Sequence, residues 1–472
     1  MPNNDYIIMG GGIAGLSIAY LLSQKSDIRI IILEKEEQTG GVLRGISAGE
    51  NIHYPSTAFF MGLNSDSIFY SLLKKMNIPV DNIFHRETFI YSVLCNGKIF
   101  NLPSSVEDLK TILKKKFEDD IENINVLFKI FDAIHDELVK LYELDSKKVV
   151  FNFLRTFPGL VKYGKLLYLD FLNKYRIHNE LRCILSSYLI SSHQSLLNTV
   201  EYIYAANGGG TYSLQIPQRE FLNQITKAVK SSGVSIYCNA NIKKIEIDNQ
   251  LVRSVHTSIG DFSGKVFICT LDPAFLPKLI SDADTRSWYI NKTQYMTRSS
   301  SYVSIILKKV KILQKCDNLI KYLPETDASE WFSNANGMQF LKQDSIYNVI
   351  YIHYPVDKTA INNLSNNVLN NNIQSYVKMA IRSCNQLAWI NEDQCLYDII
   401  LPQDYEKYFS IQDGVTFGWE MTPAQSGKNI FPQQSICSNL FQTGQFTFPG
   451  GGVLASLHSA SILAEKLLTV SS

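Results

Sequence analysis

Short apolar runs and a helical pattern alternate at the start of the chain. Residues 5–9, DYIIM, are predicted to form a short buried strand, and LSIAYLLSQK (16–25) has the spacing of a helix. The β-branched run IRIIILE (28–34) predicts a second strand that ends at Glu34. Strand, helix and strand in this order indicate an α/β unit.

The middle of the chain carries apolar residues at helical spacing. Two stretches, 106–144 and 149–175, are rich in leucine, phenylalanine and tyrosine and are predicted to be helical. Core packing is the favoured interpretation of these side chains. The second stretch also contains Lys162, Lys165 and Lys174 among its apolar residues, so an apolar substrate tunnel or shallow docking on a membrane surface is an alternative.

Later segments alternate between helix and strand patterns. An amphipathic helix is predicted over about 217–231, and two strands with Asn249 at their turn follow it. Residues 264–273, GKVFICTLDP, are predicted to be a buried strand and its end. The strand-like stretches 301–310 and 347–356 are expected to form one face of a substrate cavity.

Composition narrows the class of protein. The 472 residues are 45% apolar, which is enough for two or three domains' worth of core. A formal net charge of +1 argues against nucleic acid as a partner, because phosphate binding usually requires a basic excess. The eight cysteines include no C-x-x-C pair and no signal peptide is visible, so reduced thiols in the cytoplasm are expected.

Residues 10–15 form the pattern G-x-G-x-x-G between the first predicted strand and helix. Gly10 permits the tight turn, Gly12 lets the backbone approach a pyrophosphate, and Gly15 lets helix and strand pack closely. The helix start adds unpaired N–H groups and a positive dipole. Glu34 is placed to accept hydrogen bonds from ribose hydroxyls, and its charge disfavours NADP. The pattern therefore predicts a dinucleotide site.

A second glycine motif follows Glu34. The doublet Gly40-Gly41, with Arg44 shortly after it, resembles the second motif of two-dinucleotide-binding-domain flavoproteins, which lies near the FAD pyrophosphate. In that family an arginine commonly follows the doublet directly, whereas here two residues intervene. The resemblance implies FAD as the cofactor. Residues 205–273 also resemble flavin amine oxidases and phytoene desaturases, in which a backbone amide pair holds the adenine, and the corresponding residue here is Ile242.

The C-terminal stretch NLFQTGQFTFPGGGVLASLHSASILAEKLL (439–468) resembles the signature of bacterial carotenoid desaturases of the phytoene desaturase type and their retinol-saturase relatives. Gly444 and the run 449–453 match the pattern G-x-x-x-x-P-G-G-G-V position by position. A helix is predicted from near Val453, and the N–H groups of Val453 and Leu454 are expected to contact the flavin ring. Glycine is expected in this loop because a Cβ would collide with the ring.

Three positions depart from the family pattern. Gln445 stands where relatives often have an acidic residue, and Ser459-Ala460 stands where they often have Ser-Gly. The segment ENIHYPSTAFF (50–60) replaces a strand that relatives usually have near the flavin, so the wall of the site is expected to differ there.

The predicted FAD-binding residues are Gly10, Gly12, Ile13, Ala14, Gly15, Glu34, Lys35, Gly40, Gly41, Arg44, Ile242, Gly444, Gln445, Gly451, Gly452, Val453 and Leu454. They imply an α/β fold with a Rossmann-like FAD-binding domain of the two-dinucleotide-binding-domain flavoprotein type and an inserted α+β substrate domain. The FAD-binding domain is expected to be discontinuous (1–60, 205–275 and 410–472). The insertions 61–204 and 276–409 are expected to form the substrate-binding domain.

The family resemblance implies an FAD-dependent oxidoreductase that desaturates or oxidises an apolar polyene, isoprenoid or lipid-like molecule by hydride transfer to flavin N5. Oxygen, a quinone or another acceptor would then take the electrons, and peripheral membrane contact is an alternative to a freely soluble enzyme. The sequence contains no Ser-His-Asp, Cys-His or metal-ligand cluster, so no metal is predicted and the catalytic residues are not identified. His53, beside the expected flavin wall, and His458, in the last helix, are the candidates.

Three other functions fit the same motifs. A flavin amine oxidase or protoporphyrinogen-oxidase-like enzyme would act on a smaller substrate. A non-redox mutase or isomerase is suggested by NGKIFNLPSS (96–105), which resembles a segment of FAD-dependent mutases. A scaffold protein derived from a flavoprotein would bind no FAD at all.

Overall fold

The computed structural model describes residues 4–25, 27–48, 52–54, 59–143, 153–316, 318–324, 328–346, 348–357, 360 and 369–470. The α-helices are α1 (Ile13–Leu22), α2 (Ile68–Lys75), α3 (Val80–Ile83), α4 (Val106–Lys116), α5 (Ile121–Glu143), α6 (Phe153–Thr156), α7 (Pro158–Tyr163), α8 (Tyr168–Leu172), α9 (Asn179–Ser186), α10 (Leu196–Gly209), α11 (Gln218–Ser231), α12 (Ala283–Thr293), α13 (Leu369–Gln386), α14 (Pro402–Phe409) and α15 (Val453–Val470).

The strands are β1 (Asn4–Met9), β2 (Ile30–Leu33), β3 (Ile46–Ala48), β4 (Ile52–Tyr54), β5 (Phe60–Met61), β6 (Phe84–Arg86), β7 (Phe89–Cys95), β8 (Lys98–Pro103), β9 (Thr211–Leu214), β10 (Ser235–Tyr237), β11 (Ile242–Asp248), β12 (Leu251–Thr257), β13 (Gly260–Cys269), β14 (Ser301–Lys308), β15 (Ile320–Leu323), β16 (Gln339–Asp344), β17 (Val349–Val356), β18 (Leu396–Ile400) and β19 (Leu440–Gln442).

A first sheet carries the N-terminal glycine motif at its strand ends. Its order is β10-β2-β1-β13-β12-β11, and β19 also pairs with β13. β1 runs parallel to both neighbours, so that Tyr6 lies opposite Ile30 on one side and Val266 on the other. Every residue of β2 is buried, as expected for a parallel strand that is covered on both faces.

Helices cover one face of this sheet. α1, α11 and α15 contribute Leu16, Ile225 and Leu457 to a single buried cluster with Ile8 and Ile32 of the strands. The two ends of the chain therefore pack together, because α1 comes early and α15 comes last. This packing brings the first and last helices next to the same cavity.

A second sheet, ordered β18-β14-β17-β16-β15-β7-β8, lies in the other part of the molecule. All eight residues of β17 are buried, and β14 pairs with it antiparallel so that Ser304 lies opposite His353. On one face, α13 packs through Tyr376 and Ala380 against Ile352. The first sheet draws its strands from three separated segments and the second from others, but the exact domain boundaries stay a prediction.

Most predicted elements are confirmed, with shifts at their ends. The first helix begins at Ile13 rather than at residue 16, because Gly12 takes the N-cap position. Residues 153–175 of the second predicted helical stretch are divided into short helices, since Pro158 starts α7 and Gly164 caps it, and residues 149–152 lie outside the described part. Asn249 and the residue after it adopt positive φ at the predicted turn.

The prediction of eight reduced thiols is wrong for two of them. Cys95 of β7 and Cys183 of α9 form a disulfide, with a sequence separation of 88 residues. Such spacing leaves no local motif, because the pair is brought together by the tertiary structure alone.

Among the described helices, none is both long and apolar enough to cross a bilayer.

Candidate active site

A cavity of about 670 Å³ opens at the carboxyl ends of the parallel strands of the first sheet. Gly10, Glu34 and Asp272, which follow β1, β2 and β13, line this end. Tyr302 and His353 of the second sheet line it as well, as predicted for the strands that carry them. The cavity therefore joins the two sheets, in the position where open α/β folds bind their ligands.

The two N-terminal glycine motifs form one structural unit. A Cβ on Gly15 would lie 2.1 Å from the carbonyl oxygen of Gly10, so helix and strand approach as the motif predicts. A Cβ on Gly41 would lie 3.0 Å from the Cα of Gly12, and the N–H of Gly40 donates to the carbonyl of Gly11 over 2.8 Å. Side chains at these positions would separate the motifs.

The carboxylate of Glu34 holds this loop from within. It accepts the N–H of Gly11 over 2.7 Å and that of Glu36 over 3.1 Å. Burial raises the pKa of Glu34, while these two N–H groups act in the opposite direction. Since each carboxylate oxygen can accept two hydrogen bonds, the side chain retains acceptor capacity towards the cavity that it lines.

Two basic side chains stand beside Glu34 on the cavity wall. Residues Gly41–Arg44 form a 3₁₀ turn, and this turn returns Arg44 to the cavity despite the two intervening residues. Its Nη1 lies 3.2 Å from the carboxylate of Glu36. Lys35 donates from Nζ to the carbonyl of Tyr408 and the hydroxyl of Ser410.

The glycines of the C-terminal loop have structural requirements within the protein, in addition to the expected approach of a flavin ring. A Cβ on Gly450 would lie 2.1 Å from Cε of Met421, and one on Gly451 would lie 2.1 Å from the carbonyl oxygen of Phe417. Gly451 is therefore required by packing against backbone, whereas Gly450 is required mainly by its φ of 130°, because the methyl end of Met421 can move. Gly452 has no atom within 4 Å of a Cβ position, so it faces open space in the cavity.

The helix predicted near Val453 is confirmed as α15, which begins at that residue. The N–H of Ser456 makes the first helical bond, to the carbonyl of Gly452 over 2.9 Å. The N–H groups of Val453 and Leu454 precede that bond and both residues line the cavity. Unpaired N–H groups at a helix start attract negative charge.

Ser459 holds this loop on the helix, a role that its sequence position did not reveal. Its fully buried Oγ lies 3.0 Å from the hydroxyl of Thr443 and 2.7 Å from that of Thr447. It also accepts the N–H of Gly444 over 3.2 Å. Gly444, which lies next to Ala14 of α1, is thus held to α15 by the side chain of Ser459.

The second glycine triplet, 208–210, packs near the start of α15 through Gly62. A Cβ on Gly209 would lie 2.8 Å from Cα of Gly62, and one on Gly62 would lie 2.6 Å from the side chain of Leu454. The end of α10 is therefore packed against the start of α15 through glycine backbone.

The structure brings most of the predicted cofactor residues together. Those that line the cavity described above are Gly10, Gly12, Ile13, Ala14, Glu34, Lys35, Gly40, Gly41, Arg44, Ile242, Gly444, Gln445, Gly451, Gly452, Val453 and Leu454. Gly15 serves the packing beneath it. Ile242 lies at the Glu34 end, where the N–H of Ala240 donates to the carbonyl of Glu34 over 2.8 Å. Their individual contacts with FAD stay predictions.

Of the two candidate catalytic histidines, His458 lines the cavity, whereas the position of the His53 side chain is not described. His458 lines the cavity one helical turn after Leu454, and burial lowers the pKa of its imidazole. It is therefore neutral at neutral pH. The backbone of His53 lies in β4, opposite Ser47, but its side chain lies outside the described part of the chain. The mutase-like segment 96–105 contains the edge strand β8, and none of its residues belongs to the cavity wall.

Aromatic side chains form the wall beyond the glycine loop. Tyr302 lies 5.9 Å from the ring of Phe340 and 6.3 Å from that of Phe417, centroid to centroid. Tyr202 of α10 continues the wall, and Met61 of β5 adds an aliphatic surface. Their spacing in sequence showed only core-like patterns, so this set could not be assigned beforehand.

A buried ion pair lies beside the cavity, near the carboxyl ends of the strands of the first sheet. Arg298 binds Asp272 through both carboxylate oxygens, at 2.7 and 3.0 Å, and the two side chains are 7% and 0% exposed. The guanidinium also lies 4.6 Å from the ring centroid of Trp419. Asp272 accepts a further N–H from Gln412 over 2.9 Å. Paired and hydrogen-bonded in this way, both charges are tolerated in the interior.

Lys321 lies behind the aromatic wall and is fully buried. Its Nζ donates to the carbonyl of Ser187 over 2.8 Å and lies 4.1 Å from the ring centroid of Tyr91. Phe340, which lines the cavity, is 5.0 Å away on another side. Burial lowers the pKa of Lys321 to about 7.

Replacing Lys321 by methionine should therefore stabilise the protein in a pH-dependent way. Between about pH 7 and about pH 10, the unfolded lysine binds a proton that the folded one does not, so wild-type stability rises with pH. The advantage of Lys321→Met should reach a few kcal/mol near pH 6 and vanish near pH 10. Denaturant unfolding at several pH values measures it. Lys308→Met, which removes a partly exposed partner of Asp398, is the control, and it should not show a stability gain that declines with pH. If the stability gain of Lys321→Met is the same at all pH values, the prediction is wrong.

FAD fits the described residues. The cavity runs from the acidic residue after β2, past the closely approaching glycines, to the open space at Gly452 and the N–H groups of α15. Residues 8–75 match the family model described as an NAD(P)-binding Rossmann-like domain. With the fold, this site defines an FAD-dependent oxidoreductase.

The relatives agree with this class. The chain is 22% identical to a 1-hydroxycarotenoid 3,4-desaturase from Flavobacterium sp. (strain P99-3), over 98% of both chains. Its fold is similar to that of an oxidoreductase from Methanosarcina mazei, with a TM-score of 0.66, 15% identity and coverage of 98% and 100% of the two chains. A putrescine oxidase variant gives a TM-score of 0.65 at 9% identity and 99% coverage of both. The predicted fold class and the predicted resemblance are confirmed.

Proposed function

We propose that this protein desaturates an elongated apolar molecule of the polyene, isoprenoid or lipid-like class. The observation that carries the proposal is the aromatic wall of Tyr202, Tyr302, Phe340 and Phe417, which continues the cofactor cavity into the second sheet. Such a wall binds an apolar chain by burying its surface and stacks well on conjugated bonds. The relative named as a hydroxycarotenoid desaturase supports the same substrate class.

Bound FAD would supply the hydride acceptor at N5, while a proton leaves the neighbouring carbon of the substrate and a new double bond forms. The N–H groups of Val453 and Leu454 would orient the flavin ring and stabilise negative charge on it. The aromatic wall would exclude water and hold the substrate carbon in place. His458, neutral and on the cavity wall, is the proposed acceptor of the proton at a ring nitrogen, with His53 as the second candidate. Oxygen, a quinone or another acceptor of two electrons would complete the cycle.

Anaerobic mixing of the FAD-loaded enzyme with an acyclic polyene hydrocarbon tests the proposal. The flavin absorbance should bleach, and the product should be lighter than the substrate by two hydrogen atoms in the mass spectrum. An isoprenoid alcohol and a fatty acid extend the series within the same class. If no apolar compound bleaches the flavin, the proposed substrate class is wrong.

A second candidate is an amine oxidase activity, which one observation favours. Glu420 lines the cavity although its side chain is only 6% exposed, and its carboxylate accepts the N–H of His193 over 3.1 Å. Glu201 lines the cavity as well. Carboxylates next to aromatic rings bind ammonium groups. Rapid bleaching by an aliphatic diamine, without bleaching by polyenes, would favour this candidate.

The proposal includes a cytoplasmic location with peripheral membrane contact, through which an apolar substrate would enter. Val161 of α7 is 42% exposed, beside Lys162, so this helix presents the combination of apolar and basic groups that suits a lipid surface. Sedimentation of the protein with anionic vesicles, compared with a Val161→Asp variant, tests the contact. Binding that is equal for both proteins would place the contact elsewhere.

A further inference from the structure

His353 is a polar residue in the aromatic wall. It belongs to β17, is 9% exposed and lines the cavity. Its ring lies 5.6 Å from that of Tyr302 and stacks on Tyr351 at 5.9 Å. Tyr302 in turn contacts Phe417, whose carbonyl oxygen packs on Gly451. His353 thus stands two ring contacts from the glycine loop, on the substrate side of the cavity.

A chain of hydroxyl groups fixes the orientation of the His353 ring. Nδ1 lies 2.8 Å from Oγ of Ser304, and that Oγ lies 3.2 Å from the hydroxyl of Tyr405. Both partners are buried, and Tyr405 packs among Ile306 and Ile400. Because Nδ1 faces Ser304 while His353 lines the cavity, we infer that the edge of the ring that carries Nε2 is turned towards the cavity.

The same chain fixes which nitrogen carries the proton. Burial lowers the pKa of His353 to about 4, so the ring is neutral near pH 7 and has one N–H. Over the 3.2 Å between the hydroxyls of Ser304 and Tyr405 either group could be the donor, and we assign Tyr405 as the donor because Ser304 is its hydrogen-bond partner in the part of the chain that the structure describes. The Ser304 hydroxyl then donates to Nδ1, and the ring hydrogen resides on Nε2. The reverse order would leave the Tyr405 hydrogen buried without an acceptor, at about 1–3 kcal/mol.

An N–H group in an apolar wall needs an acceptor when ligand displaces water. Among the described residues, Nε2 of His353 forms no hydrogen bond, and it is not sealed within the protein interior. A hydrocarbon in the cavity would desolvate this donor without replacing its partner. A ligand oxygen at that point would restore the bond.

From this geometry we propose that His353 selects a substrate that carries an oxygen acceptor, as a hydroxyl, ether or carbonyl group, on its apolar chain. This specificity role rests on the proposed function, because it assumes that the aromatic wall binds the substrate. Ser304 and Tyr405 are positioning residues, since they act only through the imidazole of His353.

Binding of matched polyenes to the FAD-loaded enzyme tests this proposal. The probes are an acyclic hydrocarbon, the same chain with one terminal hydroxyl, and its methyl ether. Trp419 lines the cavity, so quenching of tryptophan emission reports binding whether or not turnover occurs. The two oxygenated probes should bind roughly tenfold more tightly than the hydrocarbon. In His353→Leu the three affinities should become equal, with the hydrocarbon bound at least as well as in the wild type.

Tyr405→Phe gives a second test if His353→Leu fails to fold. It removes the hydroxyl that donates to Ser304, so Nε2 of His353 no longer has to carry the ring hydrogen. An ether can bind only a protonated Nε2, whereas a hydroxyl can also donate to an unprotonated one. The preference for the ether over the hydrocarbon should therefore fall more than the preference for the hydroxyl. Equal affinities in the wild type, or an unchanged preference in both variants, would overturn the proposal. If the oxygenated probes bind more tightly but never bleach the flavin, the proposed desaturation is rejected and the role of His353 stands. If none of the probes binds, both the desaturation and the role of His353 are rejected.

Discussion

Replacing Gly451 by alanine should reduce FAD retention at least tenfold. The new Cβ would lie 2.1 Å from the carbonyl oxygen of Phe417 and 2.5 Å from its Cα, so backbone rather than a flexible side chain has to move. Gly451 does not have positive φ, so the effect comes from space and not from strain at that residue. The shift would displace the N–H groups of Val453 and Leu454, and overpacking of this kind costs about 1–3 kcal/mol in stability. Flavin absorbance per protein after gel filtration, and FAD titration of the apoprotein, measure the loss.

Gly208→Ala is the matched control. Gly208 lies in the last turn of α10, and no atom lies within 4 Å of its Cβ position. Alanine there should be neutral or slightly stabilising, because it favours the helix. FAD retention in Gly451→Ala that equals that of the wild type would show that the loop does not depend on its contact with Phe417.

Replacing Arg298 by methionine should destabilise the folded protein by about 3–5 kcal/mol. The substitution leaves the fully buried carboxylate of Asp272 without its cation, although the N–H groups of Ala274 and Gln412 still donate to it. It also removes the guanidinium that packs on Trp419. Because Asp272 lines the cavity, FAD affinity should fall together with stability. Denaturant unfolding of the apoprotein separates the two effects.

Lys265→Met provides the comparison for an exposed pair. Lys265 binds Asp5 over 2.7 Å on the surface, with its own side chain 65% exposed, and its loss should change stability by less than about 1 kcal/mol. The double variant Asp272→Asn with Arg298→Met should recover part of the lost stability, since it removes the unpaired charge. If Arg298→Met is no more destabilising than Lys265→Met, the buried pair contributes little.

The cofactor end of the site could be predicted because its chemistry is local in sequence. Gly10, Gly12 and Gly15 form their turn within six residues of chain, and Glu34 follows at the end of the next strand. Each position has a separate backbone requirement that few other residues satisfy. The helix start at Val453 is equally local, so the pattern of glycines before an apolar run was sufficient to place it.

At the substrate end two of the strands could be predicted, but not which of their side chains meet, because these residues come together only in the tertiary structure. Ser304, His353 and Tyr405 come from β14, β17 and α14, and each is common in ordinary cores. Periodicity indicated strands at the first two positions but not which strands pair. The disulfide between Cys95 and Cys183 was missed for the same reason. The packing reason for Gly451 was also hidden, since Phe417 belongs to a loop without a regular pattern.

The contact between the first and last helices has a consequence for how the protein is made. Ala14 of α1 lies next to Gly444 and α1 packs on α15, so early and late parts of the sequence line the same cavity. Domains generally begin to fold as the ribosome releases them, from the N-terminus onward. A nascent chain that has reached residue 440 still lacks the loop and helix that complete the pocket, and it exposes the apolar face on which α15 later packs. The cavity can therefore be completed only after residues 444–470 have been made, and until then the apolar residues that α15 covers lack this partner.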